Sequence, residues 1–324
     1  MKLNKFSKLA GFLSIAIIIS SLLTLGCSKD LELEQCKVNY SKDNYSEAFK
    51  FCSVAAEQGH PEAQNILGNM YADGLGVKQD YFKAFEWIQK AAEQGNALAQ
   101  YNLGVMYQYG QGVKQDYFKA VEWYQKAAEQ GYASAQNNLG VMYDNGKGVK
   151  QDYFKAFEWY QKAAEQGNAL AQYNLGNMYY DGQGVKQDYF KAFEWNQKAA
   201  EQGNAYAQSN LGVMYQYGQG VKQDYFKAVE WYQKAAEQGE DLAQYNLGLM
   251  YFEGKIVKQD FLKAVEWFQK AAEQGHAKAQ FTLGLMYFAG LVVKQDYSKA
   301  KEYFGLACDN KYQDGCDMYK KLNQ

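Results

Sequence analysis

The chain has 324 residues and a formal net charge of −2, from 34 lysines and no arginine against 36 acidic residues. Its hydrophobic content of 48% and its 29 tyrosines exclude an intrinsically disordered protein. Nucleic-acid binding is not expected, because the affinity of proteins for nucleic acids usually depends on a basic surface.

Residues 1–26 have the pattern of a secretory signal peptide. Lys2, Lys5 and Lys8 form a positive start, and the run from Leu9 to Leu25 is apolar apart from three serines and one threonine. Because this run is shorter than a typical membrane-spanning helix, we expect a cleaved signal instead of a transmembrane segment.

The signal segment ends in Thr24-Leu25-Gly26-Cys27, which resembles a bacterial lipobox. The resemblance implies that Cys27 is acylated and becomes the mature N-terminus, and Ser28 in place of aspartate favours the outer membrane. The alternative is an ordinary signal peptide with an incidental cysteine. We therefore expect a lipid-anchored envelope protein, periplasmic or surface-facing, that touches the membrane only through its lipid.

Five cysteines leave an odd one in a secreted chain. If Cys27 carries lipid, four cysteines remain for two disulfide bonds in an oxidising compartment. Cys36 and Cys52 lie near one end of the chain, and Cys308 and Cys316 lie near the other. Pairing within each end is the economical arrangement, although the sequence leaves the N-terminal pairing open.

A phrase of 36 residues recurs from residue 63 to the C-terminus, and a fixed period of this size indicates a stacked repeat array. In such an array each copy contacts only its neighbours, so copy number sets the size of the molecule. Equivalent alanines mark the seven copies: Ala63, Ala99, Ala135, Ala171, Ala207, Ala243 and Ala279.

One copy predicts two helices. Asn96 is a favoured N-cap, so helix A is expected over Ala97–Tyr109, and Gly110 is placed to end it in the left-handed region. Asp116 is the next N-cap, and helix B is expected from Tyr117 to about Gln130. Each copy is therefore predicted to be a helical hairpin.

Recurring small and aromatic residues define the predicted faces of these helices. Gly104 lies in the middle of helix A in spite of its low helix propensity, which indicates close approach of a neighbouring helix. On helix B, Glu122 and Lys126 have the spacing of an exposed ion pair. The predicted buried face of helix B comprises Ala120, Trp123, Tyr124, Ala127 and Ala128.

These motifs, A-x-A-x-x-x-L-G, M-Y-x-x-G-x-G-V, D-Y-x-x-A-x-x-W and A-A-x-x-G, resemble the Sel1-like repeats, which are relatives of the tetratricopeptide repeats. The resemblance implies an all-α fold, a right-handed α/α superhelical solenoid of 36-residue helix-turn-helix repeats. It also implies that Cys308 and Cys316 staple adjacent helices, as in cysteine-rich secreted members. The expected organisation is a lipidated tether over 27–43, then a solenoid over 44–322 with a half repeat at 44–60, seven repeats at about 61–310 and a capping helix at 314–322.

Binding residues are expected where the copies differ, on the side of helix A that faces away from the core. In related superhelices helix A lines the concave surface, where rigid aromatic rings and amides suit peptide recognition. The alternative is that these tyrosines only pack between adjacent helices A. The predicted partner-binding residues are Tyr101, Tyr109, Tyr173, Tyr217, Tyr245, Asn102, Asn174 and Asn246.

Catalytic, metal and cofactor sites are not predicted. His60 and His276 occupy the same position six copies apart, before helix A, and are interpreted as cap variants. Ser298 and Lys301 formally match S-x-x-K, but the companion motifs of β-lactamases are absent. We predict a monomeric scaffold or adaptor that binds a protein or peptide. The alternatives are a β-lactamase-like or penicillin-binding enzyme and a structural envelope protein of variable repeat number.

Overall fold

A computed structural model describes residues 31–323, so the signal peptide and Cys27 lie outside the described residues. Over this range the secondary structure comprises seventeen helices and no strand. The first, α1, covers residues 31–41. The others are α2 Tyr45–Glu57, α3 Pro61–Asp73, α4 Tyr81–Glu93, α5 Ala97–Tyr109, α6 Tyr117–Glu129, α7 Ala133–Asn145, α8 Tyr153–Glu165, α9 Ala169–Asp181, α10 Tyr189–Glu201, α11 Ala205–Tyr217, α12 Tyr225–Glu237, α13 Asp241–Glu253, α14 Phe261–Glu273, α15 Ala277–Ala289, α16 Tyr297–Asp309 and α17 Gln313–Lys321.

The helices form the predicted array of hairpins, with odd-numbered α3 to α15 as helices A and even-numbered α4 to α16 as helices B. The described residues fall into two compact units, 31–152 and 153–323. Within each unit every helix packs against the next one along the chain, so the contacts are local, as the 36-residue period predicts.

Cap residues set the helix boundaries as predicted. The Asn96 carboxamide oxygen accepts a hydrogen bond from the Ala99 amide at 2.8 Å, and α5 begins at the next residue. Asp116 caps α6 by accepting from the Lys119 amide at 3.1 Å. Gly110 follows α5 with φ of 70°, the left-handed conformation that glycine adopts without steric cost.

The recurring glycine of helix A permits close packing against helix B of the same copy. A Cβ atom on Gly104 would overlap ring carbons of Tyr124, which is fully buried. Trp123 is only half-buried, which corrects the prediction that it belongs to the buried face. Lys126 places its ammonium group 3.7 Å from the centroid of the Trp123 ring, and no ion pair with Glu122 forms.

Buried glutamines connect each copy to the next, a feature that the sequence analysis did not identify. Gln100 donates from Nε2 to the Ala92 carbonyl at 3.2 Å, and its Oε1 accepts from Nε2 of Gln130 at 2.7 Å. Both polar ends of a buried amide are therefore paired, which avoids the cost of burying it unsatisfied. The same link joins Gln94 to Gln64, Gln202 to Gln172, Gln238 to Gln208 and Gln274 to Gln244.

The loop between helices A and B packs against the backbone of the preceding copy. Gly220 has φ of 70°, and a Cβ atom there would overlap the carbonyl oxygen of Tyr189 at the start of α10. In the last two copies Ile256 and Val292 stand in place of this glycine. Val292 retains a φ of 67°, which is strained for a β-branched residue.

Both ends of the array carry the disulfide bonds expected for them. Cys36 pairs with Cys52 across a Cα–Cα distance of 4.7 Å, and Cys308 pairs with Cys316 across 4.5 Å. Cys36 is fully buried in a cluster with α2 and α3, so residues 31–41 pack as part of the array. At the other end α17 covers most of the expected capping segment.

Candidate functional site

Three of the predicted tyrosines lie at the fifth position of helix A. Tyr101, Tyr173 and Tyr245 are half-buried and contact the following copy. Each ring lies beside an aromatic or imidazole ring at or near the N-terminus of the next helix A. The alternative that these tyrosines only pack between adjacent helices A therefore accounts for the buried part of each side chain. The centroid distances to the following copy are 5.2 Å for Tyr101–Tyr132, 5.8 Å for Tyr173–Tyr206 and 4.7 Å for Tyr245–His276.

The other two predicted tyrosines lie at the last position of helix A and are exposed. Tyr109 in the first unit and Tyr217 in the second each retain 64% of their accessible surface. Equivalent positions in the second unit are occupied by Asp181 and Glu253. Side chains at this position are therefore available for contact with a partner.

The three predicted asparagines are half-buried. Asn102 donates to Asn65 at 3.0 Å and to Asn69 at 3.2 Å, both in the preceding copy. Asn246 lies beside the buried hydroxyl of Tyr232, which belongs to helix B of the preceding copy, and Asn174 lies at the same position of α9. Asn102 therefore takes part in the packing between copies.

In the second unit a cavity of about 340 Å³ lies against α9, α11 and α13. It brings predicted Tyr173 together with carboxylate, amide and apolar groups from three successive helices A. Asn210 spans two of these helices, since its Nδ2 donates to Oδ1 of Asn177 at 2.7 Å. The lining residues are Tyr173, Asn177, Tyr180, Asp181, Asn210, Val213 and Leu242.

A second cavity of about 400 Å³ also lies against α11 and α13 and includes predicted Asn246. Its walls combine the apolar side chains of Leu249, Met250 and Ile256 with polar groups that include Asn246. Glu253 at its edge forms an ion pair of 3.3 Å with Lys255. Both cavities lie against α11 and α13 in the second unit, and we refer to the two together as the helix-A groove.

Two carboxylates shape the electrostatics of the first cavity. Burial raises the pKa of the Tyr173 hydroxyl, and the negative charges of Glu240 and Asp181 raise it further. Glu240 is the N-cap of α13, where its Oε2 accepts from the Ala243 amide at 2.5 Å. Burial also raises the pKa of Glu240, because a partly desolvated carboxylate is disfavoured.

Comparison with known proteins decides the family. The Sel1 repeat model matches eight consecutive segments, residues 39–60, 61–96, 97–132, 133–168, 169–204, 205–240, 241–276 and 277–312. The chain belongs to the Sel1 repeat family. No curated protein matches the sequence significantly.

Two solved structures of Sel1 repeat proteins are similar to this chain. The first is c5321, a protective antigen present in uropathogenic Escherichia coli strains, with 41% identity and a TM-score of 0.73 over 85% of this chain. The chain spans only 59% of the length of c5321. The second is a Sel1 repeat protein from Oxalobacter formigenes, with 34% identity and a TM-score of 0.70, covering 74% of this chain and 96% of that one.

The residues considered for catalysis do not form a cluster in this Sel1 repeat protein. Ser298 is exposed in the first turn of α16, and Lys301 lies 5.8 Å from the ring centroid of Tyr319. His276 caps α15 through Nδ1, which accepts from the Ala279 amide at 3.2 Å, and burial lowers its pKa. His60 precedes α3 without a cap hydrogen bond from its side chain, so only His276 acts as the predicted cap variant.

The described residues contain neither a candidate metal site nor a candidate membrane-spanning helix. Within 31–323, no three His, Cys, Asp or Glu side chains are grouped closely enough to hold a metal ion. None of the helices described there has both the length and the apolar character needed to cross a membrane.

Exposed apolar side chains occur at the start of helices B, and the sequence did not lead us to predict them. These side chains repeat in register, and each retains between 62% and 74% of its surface. The sequence could have indicated this exposure, because Phe118 lies outside the predicted buried face of helix B. Nothing in the structure shows what covers these side chains, which are Phe82 and Phe118 in the first unit and Phe154, Phe190, Phe226 and Leu262 in the second.

Proposed function

We propose that this Sel1 repeat protein is a lipid-anchored scaffold or adaptor of the bacterial cell envelope that binds a peptide or protein segment in its helix-A groove. Sel1 repeat proteins generally mediate protein–protein interactions. The observation that carries the proposal is the groove itself, where exposed rings, amides and apolar side chains converge on α11 and α13.

The chemistry of the groove suits a polypeptide. Tyrosine rings such as Tyr173 and Tyr180 supply contact area at low entropic cost, since each has few rotatable bonds, and the exposed Tyr217 follows Gln216, which lines the second cavity. Amides such as Asn177 and Asn246 can exchange hydrogen bonds with a peptide backbone. The apolar second cavity supplies a place for a side chain of the partner.

Replacement of Tyr217 by alanine tests the groove. Because the ring is 64% exposed, Tyr217→Ala is expected to preserve the helical circular dichroism spectrum and thermal midpoint. Cross-linking in the intact envelope, followed by mass spectrometry, is expected to show loss of a partner that the wild-type chain captures. The matched control is Phe226→Ala, an equally exposed aromatic at the start of α12, which should keep that partner. Loss with Phe226→Ala and retention with Tyr217→Ala would contradict the groove as the binding surface.

The anchor and the enzymatic alternative have separate tests. Labelled palmitate is expected to be incorporated into the wild-type chain and not into Cys27→Ser, and labelling of the variant would refute the lipid anchor.

Purified protein is expected to leave the β-lactam nitrocefin intact. Turnover that disappears in Ser298→Ala would establish the β-lactamase-like alternative.

A further inference from the structure

One copy in the second unit departs from the repeat at a buried position of helix B. Asn196 of α10 stands where α6, α8 and α12 carry a tyrosine, and it retains only 1% of its accessible surface. The three equivalent tyrosines are fully buried, and they are Tyr124, Tyr160 and Tyr232. A core position that breaks the pattern of its own repeat indicates a local role other than packing.

Where the tyrosine is retained, its phenol group has defined neighbours on helices A. The Tyr124 hydroxyl donates to Oε1 of Gln108 at 2.7 Å, and the Asn138 side chain interacts with the same hydroxyl. The ring centroids of Tyr101 and Tyr124 lie 5.9 Å apart. These three neighbours surround a phenol group that the chain itself supplies.

The equivalents of these three neighbours line the first cavity, close to Asn196. They are Tyr173, Tyr180 and Asn210, each two copies later in the chain, and the cavity has a volume of about 340 Å³. Asn196 is bonded to this lining, because its Oδ1 accepts from Nδ2 of Asn210 at 3.1 Å. Its Nδ2 donates to the Ala192 carbonyl at 2.9 Å. The positions that surround a phenol group elsewhere therefore face a cavity here, where the chain has no phenol of its own.

We propose that the first cavity binds the side chain of a tyrosine from a partner protein, in place of the ring that is absent at Asn196. This inference rests on the proposed function, because it names a side chain of the partner. The incoming ring would pack against the Tyr173 ring and the apolar side chains of Val213 and Leu242.

Polar groups of the cavity favour a neutral phenol over a plain phenyl ring or an anionic group. Asn210 donates from Nδ2 to Asn177 and to Asn196, so its Oδ1 can accept a hydrogen bond from an incoming hydroxyl. Asp181 also lines the cavity, and its negative charge disfavours a carboxylate or phosphate in the same space. Tyrosine is therefore the natural side chain that fits the cavity in both shape and charge.

The test measures fluorine NMR of two probes, N-acetyl-3-fluorotyrosinamide and N-acetyl-3-fluorophenylalaninamide, with the full chain purified in detergent. The tyrosine probe is expected to bind at least about fivefold more tightly, which is the scale of one hydrogen bond. Asn196→Tyr restores the ring of the repeat and is expected to abolish this binding. The variant should keep its helical circular dichroism spectrum and thermal midpoint, because Gly176 leaves room above position 196 as Gly104 does above Tyr124. Broadening that remains in the variant measures partition of the probe into detergent.

A matched pair of substitutions tests the hydroxyl group. Asn210→Leu is expected to remove the preference for the tyrosine probe while ring binding remains, because the acceptor for the hydroxyl is lost. Asn246→Leu is the same substitution one copy later, outside the first cavity, and should keep the preference. Cross-linking in the intact envelope is expected to lose the partner in Asn196→Tyr and to retain it in Asn246→Leu.

Equal binding of the tyrosine probe by the wild-type chain and Asn196→Tyr would overturn the proposal, and so would a partner that Asn196→Tyr still captures. If either result accompanies loss of the cross-linked partner in Tyr217→Ala, the scaffold function stands and only the ligand assigned to the cavity fails. Sedimentation of the chain alone covers the remaining occupant. A dimer that dissociates in Asn196→Tyr would identify a second copy as the source of the ring and overturn a separate partner.

Discussion

Single cap residues distinguish one copy of the repeat from another. Asn96, Asn168 and Asn204 each accept a hydrogen bond from the third residue of the following helix with a neutral amide. Glu240 makes the equivalent bond with a carboxylate, and His276 makes it with a ring nitrogen. The backbone geometry is the same, but the last two caps can titrate.

Replacing Glu240 with asparagine is therefore expected to stabilise the chain at neutral pH. The pKa of Glu240 is raised above its ordinary value of 4.5, so the folded state disfavours the ionised form and stability is lost as pH rises through the folded pKa. Glu240→Asn should raise the free energy of unfolding at pH 7 by roughly 0.5–1 kcal/mol, the scale of single cap substitutions. Denaturation from pH 4 to pH 7 should show the gain shrinking on the acidic side of that range. A gain that is independent of pH would contradict this account.

Loops hold the helical elements together by resting on the backbone of the preceding copy. Gly220 at φ of 70° brings its loop onto the Tyr189 carbonyl, and Gly184 does the same at Tyr153. The requirement has two parts, a left-handed backbone and the absence of a Cβ atom. Gly239, which follows helix α12, has only the first part, because its φ is 94° and no atom lies within 4 Å of a Cβ built there.

The two glycines give a matched pair of substitutions. Gly239→Ala should cost about 1 kcal/mol, the strain of a left-handed alanine. Gly220→Ala should cost more, about 2–3 kcal/mol, because the methyl group also displaces the loop from the Tyr189 carbonyl. Chemical denaturation followed by helical circular dichroism measures both, and equal losses would show that the contact between copies contributes nothing.

At the scale of the whole molecule, each end of the array needs a substitute for the missing neighbour. At the C-terminal end α17 covers α16, whose Phe304 and Ala307 are fully buried, and Cys308–Cys316 joins the two helices. In a repeat array such a cap protects its nearest neighbours and has little effect on distant copies.

Truncation after Asn310 is expected to destabilise the C-terminal end locally. Exposing Phe304 and Ala307 should increase amide hydrogen exchange in α15 and α16, while α9 and α11 keep their protection. The control is Cys308→Ser with Cys316→Ser, which retains α17 and should cost only about 2–3 kcal/mol through the lost loop constraint. Exchange that rises equally in all four helices would instead indicate one cooperative unit.

Much of the fold was predictable from the sequence because its determinants are local. The period, the boundaries of α5 and α6, and the caps at Asn96 and Asp116 follow from residues a few positions apart. Both observed disulfides match the economical pairing within each end, although the sequence left the N-terminal pairing open. The candidate site was predictable only in part: Tyr217 is exposed as a binding residue should be, whereas Tyr173 also packs against the next copy.

The sequence by itself determined the helical hairpin and its repetition, because hydrogen-bonding caps and hydrophobic spacing act over short distances. Tertiary structure alone decided which side chains meet across copies. It brought Asp181 and Glu240, 59 positions apart in the numbering, close enough to add to the effect of burial in raising the pKa of the Tyr173 hydroxyl, and it left Phe226 exposed at the start of α12. The physical reason is that burial and charge proximity depend on how successive hairpins stack, which no single copy of the repeat encodes.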